Sequence, residues 1–202
     1  EIYTVYSSAA SDVYKRQEYI AQKKTVSVAV VENWHPLFCA QTDNDLHDGI
    51  ISDVLGAVAG FTGLEFEYVY TDSYAKALAM VQEGKADMLG AFMGNEEEAA
   101  QMDLALSASY ASLNDILVRN KAVSYPSEGL VGGIIEGREM PKEVAAAEVR
   151  YFKTVPEGLM AVNSGEIDFF YDLSMRMEQE IQSHHFTNVI PNSPVSYTHL
   201  RA

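Results

Sequence analysis

A single cysteine, Cys39, among 202 residues excludes an internal disulfide, and with no neighbouring cysteine it also excludes a thiolate-rich metal site. The five histidines show no ligand spacing: His184 and His185 are adjacent, so on a helix they point in different directions and mark a solvated helix end. Basic residues are few. Lys and Arg number 14 against 29 Asp and Glu, a formal charge of −15, so the electrostatic footprint of a nucleic-acid binder is missing and nucleic acid is excluded as a partner. An acidic balance of this kind serves solubility rather than one particular partner. Long apolar runs are missing as well. None approaches the roughly 20 residues needed to cross a bilayer, so the chain is expected to meet a membrane only through flanking segments. Residues 1–17 carry no charged region followed by an apolar one, as a secretion signal would. Ser/His/Asp spacing, metal motifs and phosphate-binding loops are absent, and no cofactor or metal is expected.

Both ends stand apart from the rest. SSAASDVYKRQ (Ser7 to Gln17) and VSYTHLRA (Val195 to Ala202) are low in apolar content and continue no neighbouring periodicity. They resemble translated sequencing-adapter read-through. Residues 1–17 are therefore expected to be non-native and disordered, and 195–202 a non-native tail, leaving about 18–194 as the informative chain.

What is present points to an α/β protein. Apolar residues at 48% and charged residues at 21% are ordinary for a chain with real hydrophobic cores, and the length suits one bilobed domain or two lobes of about 100 residues. Thr25 to Val31 is a β-branched run that predicts a buried strand. After a loop with Asn33, Trp34, His35 and Pro36, Asp48 and Gly49 open a helix to about Gly60, with Ile50, Ile51, Val54, Leu55 and Val58 on one face. Leu64 to Tyr70 alternates as a half-buried strand does. Ser73 caps a second helix with the stripe Tyr74, Ala77, Leu78 and Val81, and Met88 to Met93 returns as a strand. Strand–helix–strand–helix–strand at this spacing predicts parallel strands with right-handed crossovers. Residues 95–111 read as irregular, 116–118 as a short strand and 120–129 as a linker containing Pro126.

The same order then recurs: a strand at 130–135, a short helix at 141–147, a strand at 149–153, a helix at 156–164 and a strand at 169–173. Leu78, Val81, Gly84 and Asp87 in LAMVQEGKAD match Leu159, Val162, Gly165 and Asp168 in LMAVNSGEID at identical spacing. Two copies of one helix–Gly–strand turn, each closing the same element order, favour two similar lobes. The two aspartates read as turn-capping residues of the scaffold.

With both copies in view, the chain resembles the family 3 extracellular solute-binding proteins over about residues 25–192. The marks are VSVAVV; Trp34, Pro36 and Phe38; Gly49 with Asp53; EGKADMLGAFM; LSASY (Leu106 to Tyr110); and VRYFKTVPEGLMAVNSGEIDFFYD. The resemblance implies an α/β, two-lobed type II periplasmic-binding-protein-like fold that is C-terminally incomplete, because a return segment after Asn192 is replaced by the foreign-looking tail. Lobe I is expected at 25–121 and lobe II at 122–192. The implied function is extracytoplasmic binding of a small-molecule solute in a hinged cleft. EYIAQKKTVSVAVVENWHPLF further resembles the entry to the later of two tandem binding domains in bacterial membrane receptors that continue into a histidine kinase or a diguanylate cyclase. A ligand-sensing domain of such a receptor is therefore the leading expectation, with a tandem binding domain and a kinase or cyclase output domain as partners. The alternatives are the substrate-binding component of an ABC-type uptake transporter and, on the same fold, a cyclohexadienyl dehydratase-like enzyme. The domain itself is expected to be non-catalytic.

Parallel α/β lobes bind ligands at the carboxyl ends of their strands. In lobe I the candidates are Asn33, Trp34 and Phe38, then Phe92, Met93, Gly94 and Asn95. Trp34, the sole tryptophan, either stacks on a ligand or packs on the lobe's core. One of Phe92 and Met93 is expected to be buried by strand alternation. Tyr110 matches a family tyrosine near the hinge. In lobe II, Gly137 and Arg138 follow a strand, where free amides and a guanidinium suit a carboxylate or phosphate; Tyr171 and Asp172 end the last repeat strand. The resemblance implies that amino-acid binders hold the ligand's ammonium with an acid near Asp172, and its carboxylate with an arginine soon after the third strand. Here that stretch is NEEEAAQMD (Asn95 to Asp103), with no basic residue.

Overall fold

A computed structural model describes residues 18, 21–41, 46–192 and 196–202; the expected foreign segment 1–17 lies outside them. Strand β1 (Thr25–Val31) buries Val28, Ala29 and Val30 almost completely, as its valine-rich run suits a strand covered on both faces. A short antiparallel ribbon follows, β2 (Cys39–Gln41) against β3 (Leu46–Asp48). Helix α1 (Ile50–Thr62) starts after Gly49, whose φ is 113°. A Cβ there would lie 2.7 Å from the Leu37 carbonyl oxygen, so both the backbone angle and the close approach demand glycine. The helix stops at Gly63 in the left-handed conformation, its N–H donating to the Ala59 carbonyl. Strand β4 (Glu65–Thr71), helix α2 (Tyr74–Gln82) and strand β5 (Met88–Leu89) complete a three-stranded parallel sheet of order β4-β1-β5. The Ser73 hydroxyl accepts from the Lys76 N–H to cap α2.

β5 is shorter than the run 88–93 suggests, because the chain leaves the sheet at Gly90. The Met93 N–H donates to the Tyr74 hydroxyl, and the Phe92 N–H to the Arg201 carbonyl. The stretch expected to be irregular contains helix α3 (Glu96–Gln101). It has no apolar stripe to announce it. Instead Asn95 Oδ1 accepts from the Glu98 N–H, the Asn95 amide donates back to the Glu98 carboxylate, and three consecutive glutamates sit in the first turn, where the helix dipole favours negative charge.

Strand β6 (Ala111–Asn120) is ten residues long, not three. It joins the second sheet with β7 (Val131–Ile135), β8 (Glu148–Phe152), β9 (Phe169–Leu173), β10 (Val189–Pro191) and β11 (Ser196–Leu200). The order is β10-β6-β9-β7-β8, with β11 also paired to β6. A division of the chain at 121/122 therefore cuts through a sheet to which 111–120 contributes hydrogen bonds on both edges. Helices α4 (Val155–Ser164) and α5 (Ser174–His184) cover this sheet. The helix expected at 141–147 is a turn: the Val144 N–H donates to the Pro141 carbonyl and the Ala147 N–H to the Leu130 carbonyl. That last bond draws the segment alongside β7, so the first crossover of the second lobe is irregular and only the β8–α4–β9 half repeats as strand–helix–strand.

The matched decapeptides adopt the same structure. Gly84 and Gly165 both have left-handed φ, and each donates to the carbonyl three residues earlier, of Val81 and Val162. Asp87 Oδ2 accepts from the Ser27 N–H at 2.8 Å, and Asp168 Oδ2 from the Val131 N–H at 2.7 Å. Each aspartate thus fastens its turn to a neighbouring parallel strand, Asp87 to β1 and Asp168 to β7. Lys23 and the two Ser27 donors hold the Asp87 carboxyl down to about 2. Both aspartates are scaffold.

Apolar residues from both sheets form one connected core, and a smaller cluster of Leu117, Leu130, Ile134, Val144, Phe169 and Tyr171 lies beneath the second sheet. Among the described residues no helix is long and apolar enough to cross a membrane.

Candidate functional site

Two antiparallel segments carry the second sheet across to the first lobe. β11 pairs with the opening half of β6, Ser196 to Asp115 through Leu200 to Ala111. Beyond that pairing, the Phe92 N–H reaches the Arg201 carbonyl at 2.6 Å and the Ser107 N–H reaches Ala202 O at 2.8 Å. Tyr110 closes the same corner, its hydroxyl donating to the Gly90 carbonyl at 2.8 Å. The segment expected to be foreign thus runs where a return strand belongs.

Beside this crossing lies a cavity of about 670 Å³ bounded by both lobes. The first lobe contributes Met93, Gly94, Asn95 and the α3 residues Glu96, Glu97, Glu98 and Gln101; the second contributes Asp115, the loop Arg138 to Glu143, and Tyr171, with Arg201 at one edge. Most of these positions follow β5 and β7, at the carboxyl ends of parallel strands, where ligands of open α/β sheets bind, while Tyr171 lies within β9 and Asp115 within β6.

The floor is a buried ion network. Arg138 Nη1 donates to Asp172 Oδ1 at 2.8 Å and Nη2 to Asp115 Oδ1 at 3.3 Å, while Arg176 Nη1 donates to Asp172 Oδ2 at 2.9 Å. Burial works against charge on Arg138, but Asp172 and Asp115 outweigh it and hold its pKa above the ordinary arginine value. Burial lowers Arg176, which Asp172 offsets in part. Burial and then Asp115 push the Tyr171 phenol well above its ordinary range, so it stays neutral and donates.

The lobes also touch directly through polar and aromatic groups. The Arg176 guanidinium sits 5.1 Å from the centroid of the Trp34 ring, within cation–π range, and Trp34 lies 5.5 Å from Tyr74. Gly137, with φ 90°, approaches the start of α2 so closely that a Cβ would lie 3.0 Å from the Tyr74 ring and 3.2 Å from the Ala75 Cα. Burial pushes the Tyr74 hydroxyl up to about 12.

Of the residues proposed from sequence, Met93, Gly94, Asn95, Arg138 and Tyr171 come together in the cavity wall. Asp172, fully buried, stands behind it as the partner of both arginines. Gly137 lies at the lobe contact and Tyr110 at the crossing. Trp34 is 4% exposed, packed into the first lobe's core and capped by Arg176, so its ring is not a free platform. Phe38 is buried against Tyr68 and His47 and Phe92 is buried behind Gly94; neither is a wall residue of the cavity. Asn33 is exposed in a turn with φ 56°. Sequence reasoning missed Glu98, Asp115 and the 139–143 loop. The one available signal was Asp115, an acid opening the apolar run Ile116–Val118.

A family model described as "Bacterial extracellular solute-binding proteins, family 3" matches residues 26–165. The virulence sensor protein BvgS of Bordetella pertussis is 23% identical over 179 residues, covering 85% of this chain and 14% of that protein; the chain thus spans about a seventh of the relative's length. Among solved structures, the periplasmic VFT2 domain of B. pertussis BvgS superposes with a TM-score of 0.72 at 21% identity, covering 94% of this chain and 85% of that one. A P235GK mutant of ArgBP from T. maritima superposes with a TM-score of 0.66 at 14% identity, covering 92% and 84%. Both are type II periplasmic-binding, or Venus flytrap, folds.

Proposed function

Because the chain belongs to the bacterial extracellular solute-binding proteins, family 3, we propose that it is the ligand-sensing part of a transmembrane signalling receptor, held outside the cytoplasm by flanking segments. The observation that carries this is the cavity walled by two lobes that β6 and β11 join. Two bodies on such a crossing can open and close around a solute. A sensing role, rather than delivery, is supported by the likeness to BvgS, which bears the name of a virulence sensor, over most of this chain. Solute binds the closed arrangement better than the open one, and the difference in affinity biases the attached segments. The domain does no chemistry of its own. A tandem binding unit and a kinase or cyclase output domain are the proposed partners. A second role, presenting solute to an uptake permease, is supported by the likeness to ArgBP.

A thermal-shift screen against small metabolites tests binding. At about 100 times its Kd a solute adds about 2.7 kcal/mol to stability, a rise of about 5–10 °C for a domain of this size. If no compound raises the Tm, solute binding is refuted. The intact gene separates the two roles: a receptor has a further binding unit and an apolar segment of about 20 residues leading to an output domain, whereas a lipid-anchoring signal with no output domain means transport.

A further inference from the structure

The charge in the cavity wall is unequal in a way that specifies the solute. Among the described residues, two of the wall's three cationic side chains already answer carboxylates: Arg138 faces Asp172 and Asp115, and Arg201 lies 2.7 Å from Glu96. Lys142 then stands against Glu97, Glu98, Glu139 and Glu143. The buried guanidinium on which an anionic solute would depend is committed to the protein's own aspartates, whose carboxylates offset its charge and repel a further anion at Arg138.

The remaining carboxylates are divided between the lobes. Glu98 belongs to α3 of the first lobe and Glu139 to the loop after β7 of the second. Glu98 is pushed above the ordinary glutamate value by burial first and by Glu139 next, with Arg138 opposing. Like charges on opposite walls resist closure, and a positive charge between them turns that resistance into attraction. The described residues bring no three His, Cys, Asp or Glu side chains together to hold a metal ion, and the carboxylates are spread around about 670 Å³, which suits an extended organic cation.

We infer that the cavity takes a small organic cation, an aliphatic amine or diamine without a carboxylate, which seats between Glu98 and Glu139 and draws the lobes together. This rests on the solute-binding role proposed above and adds the chemical class. It is tested by calorimetric titration of the protein with 1,4-diaminobutane and 4-aminobutylguanidine, alongside glycine, succinate, inorganic phosphate and Mg²⁺. One of the amines is expected to bind, more weakly as salt rises, and on the order of tenfold more weakly to the E98Q/E139Q variant. Glutamine at 98 keeps the helix-capping geometry, and an unchanged Tm of the free variant shows that it folds. Binding of succinate, phosphate, glycine or Mg²⁺ but neither amine overturns the cation assignment and leaves solute binding standing. Amine binding that E98Q/E139Q does not weaken overturns the placement. If neither these probes nor any compound of the thermal screen binds, both fall.

Discussion

Replacing Asp172 with alanine is expected to destabilise the domain by about 3–5 kcal/mol, the usual cost of removing one partner from a buried ion network. Asp172 is 0% exposed, and its two oxygens receive one guanidinium each, from Arg138 and Arg176. The substitution takes a partner from each charge and strands one of them. Arg138 keeps Asp115 at 3.3 Å, but Arg176 is left between the Trp34 ring and a new void. Chemical denaturation should show a lower midpoint with an unchanged slope. A second change identifies the cause: in Asp172→Ala combined with Arg176→Met, the stranded charge is gone and part of the loss should return, because an apolar side chain tolerates the buried place. If D172A stays within about 0.5 kcal/mol of the parent, the range of ordinary surface substitutions, the network is not what holds this floor.

The second large effect lies in the core of the second lobe. Phe170 is 0% exposed, and its ring occupies the space that two glycines leave. A Cβ on Gly158 would lie 2.1 Å from the ring and one on Gly133 2.7 Å from it. Phe170→Ala is expected to cost about 3–5 kcal/mol, because glycine walls have no side chains to collapse into the cavity. Gly158→Ala is expected to cost about 1–3 kcal/mol by overpacking in the parent. In the Phe170→Ala background that penalty should vanish, since the added methyl then meets a void, and the cycle measures the coupling directly. Additive penalties would mean that ring and glycine do not share this space.

Much of the scaffold was legible in the sequence because it obeys local rules. The runs 25–31 and 169–173 are mostly apolar because both faces are largely covered, and the Gly–x–x–Asp turns recur because one hydrogen-bond pattern is used twice. The failures were where tertiary contacts decide. β5 is short because, beyond Gly90, the Arg201 carbonyl and the Tyr74 hydroxyl take the amides of Phe92 and Met93; β6 is long because β9, β10 and β11 supply partners far away in sequence. Segment 141–147 has helical composition, but the Leu130 carbonyl draws its end alongside the sheet.

The site was legible by position rather than by role. Residues after β5 and β7, and Tyr171 within β9, do line the cavity, which is a consequence of topology. That Arg138 and Asp172 satisfy each other could not be read from a spacing of 34 residues, and it changes what each is for. Each was read as a candidate contact for an opposite charge on a ligand; in the structure Arg138 pairs with Asp172 and Asp115, and Asp172 with both arginines. The placement of Phe38 and Trp34 was ambiguous in the sequence for a related reason. A loop aromatic after a strand looks exposed until the neighbours that cover it, Tyr68 for one and Arg176 of the other lobe for the second, are placed.

The central claim is that the lobes close on a solute between them, and the most direct measurement is the distance between the lobes. Phe61 at the end of α1 is 93% exposed and Tyr151 on β8 is 56% exposed, so both accept spin labels through cysteine, with Cys39 replaced by serine. Pulsed electron–electron resonance on the free protein should give a distribution with long and short components. Saturation with the compound that most stabilises the domain should collapse it onto the short one, the arrangement in which Arg176 covers Trp34 and Gly137 meets Tyr74. An unchanged distribution at full saturation would contradict the account: the cavity would then bind solute without moving the lobes, and binding would carry no signal.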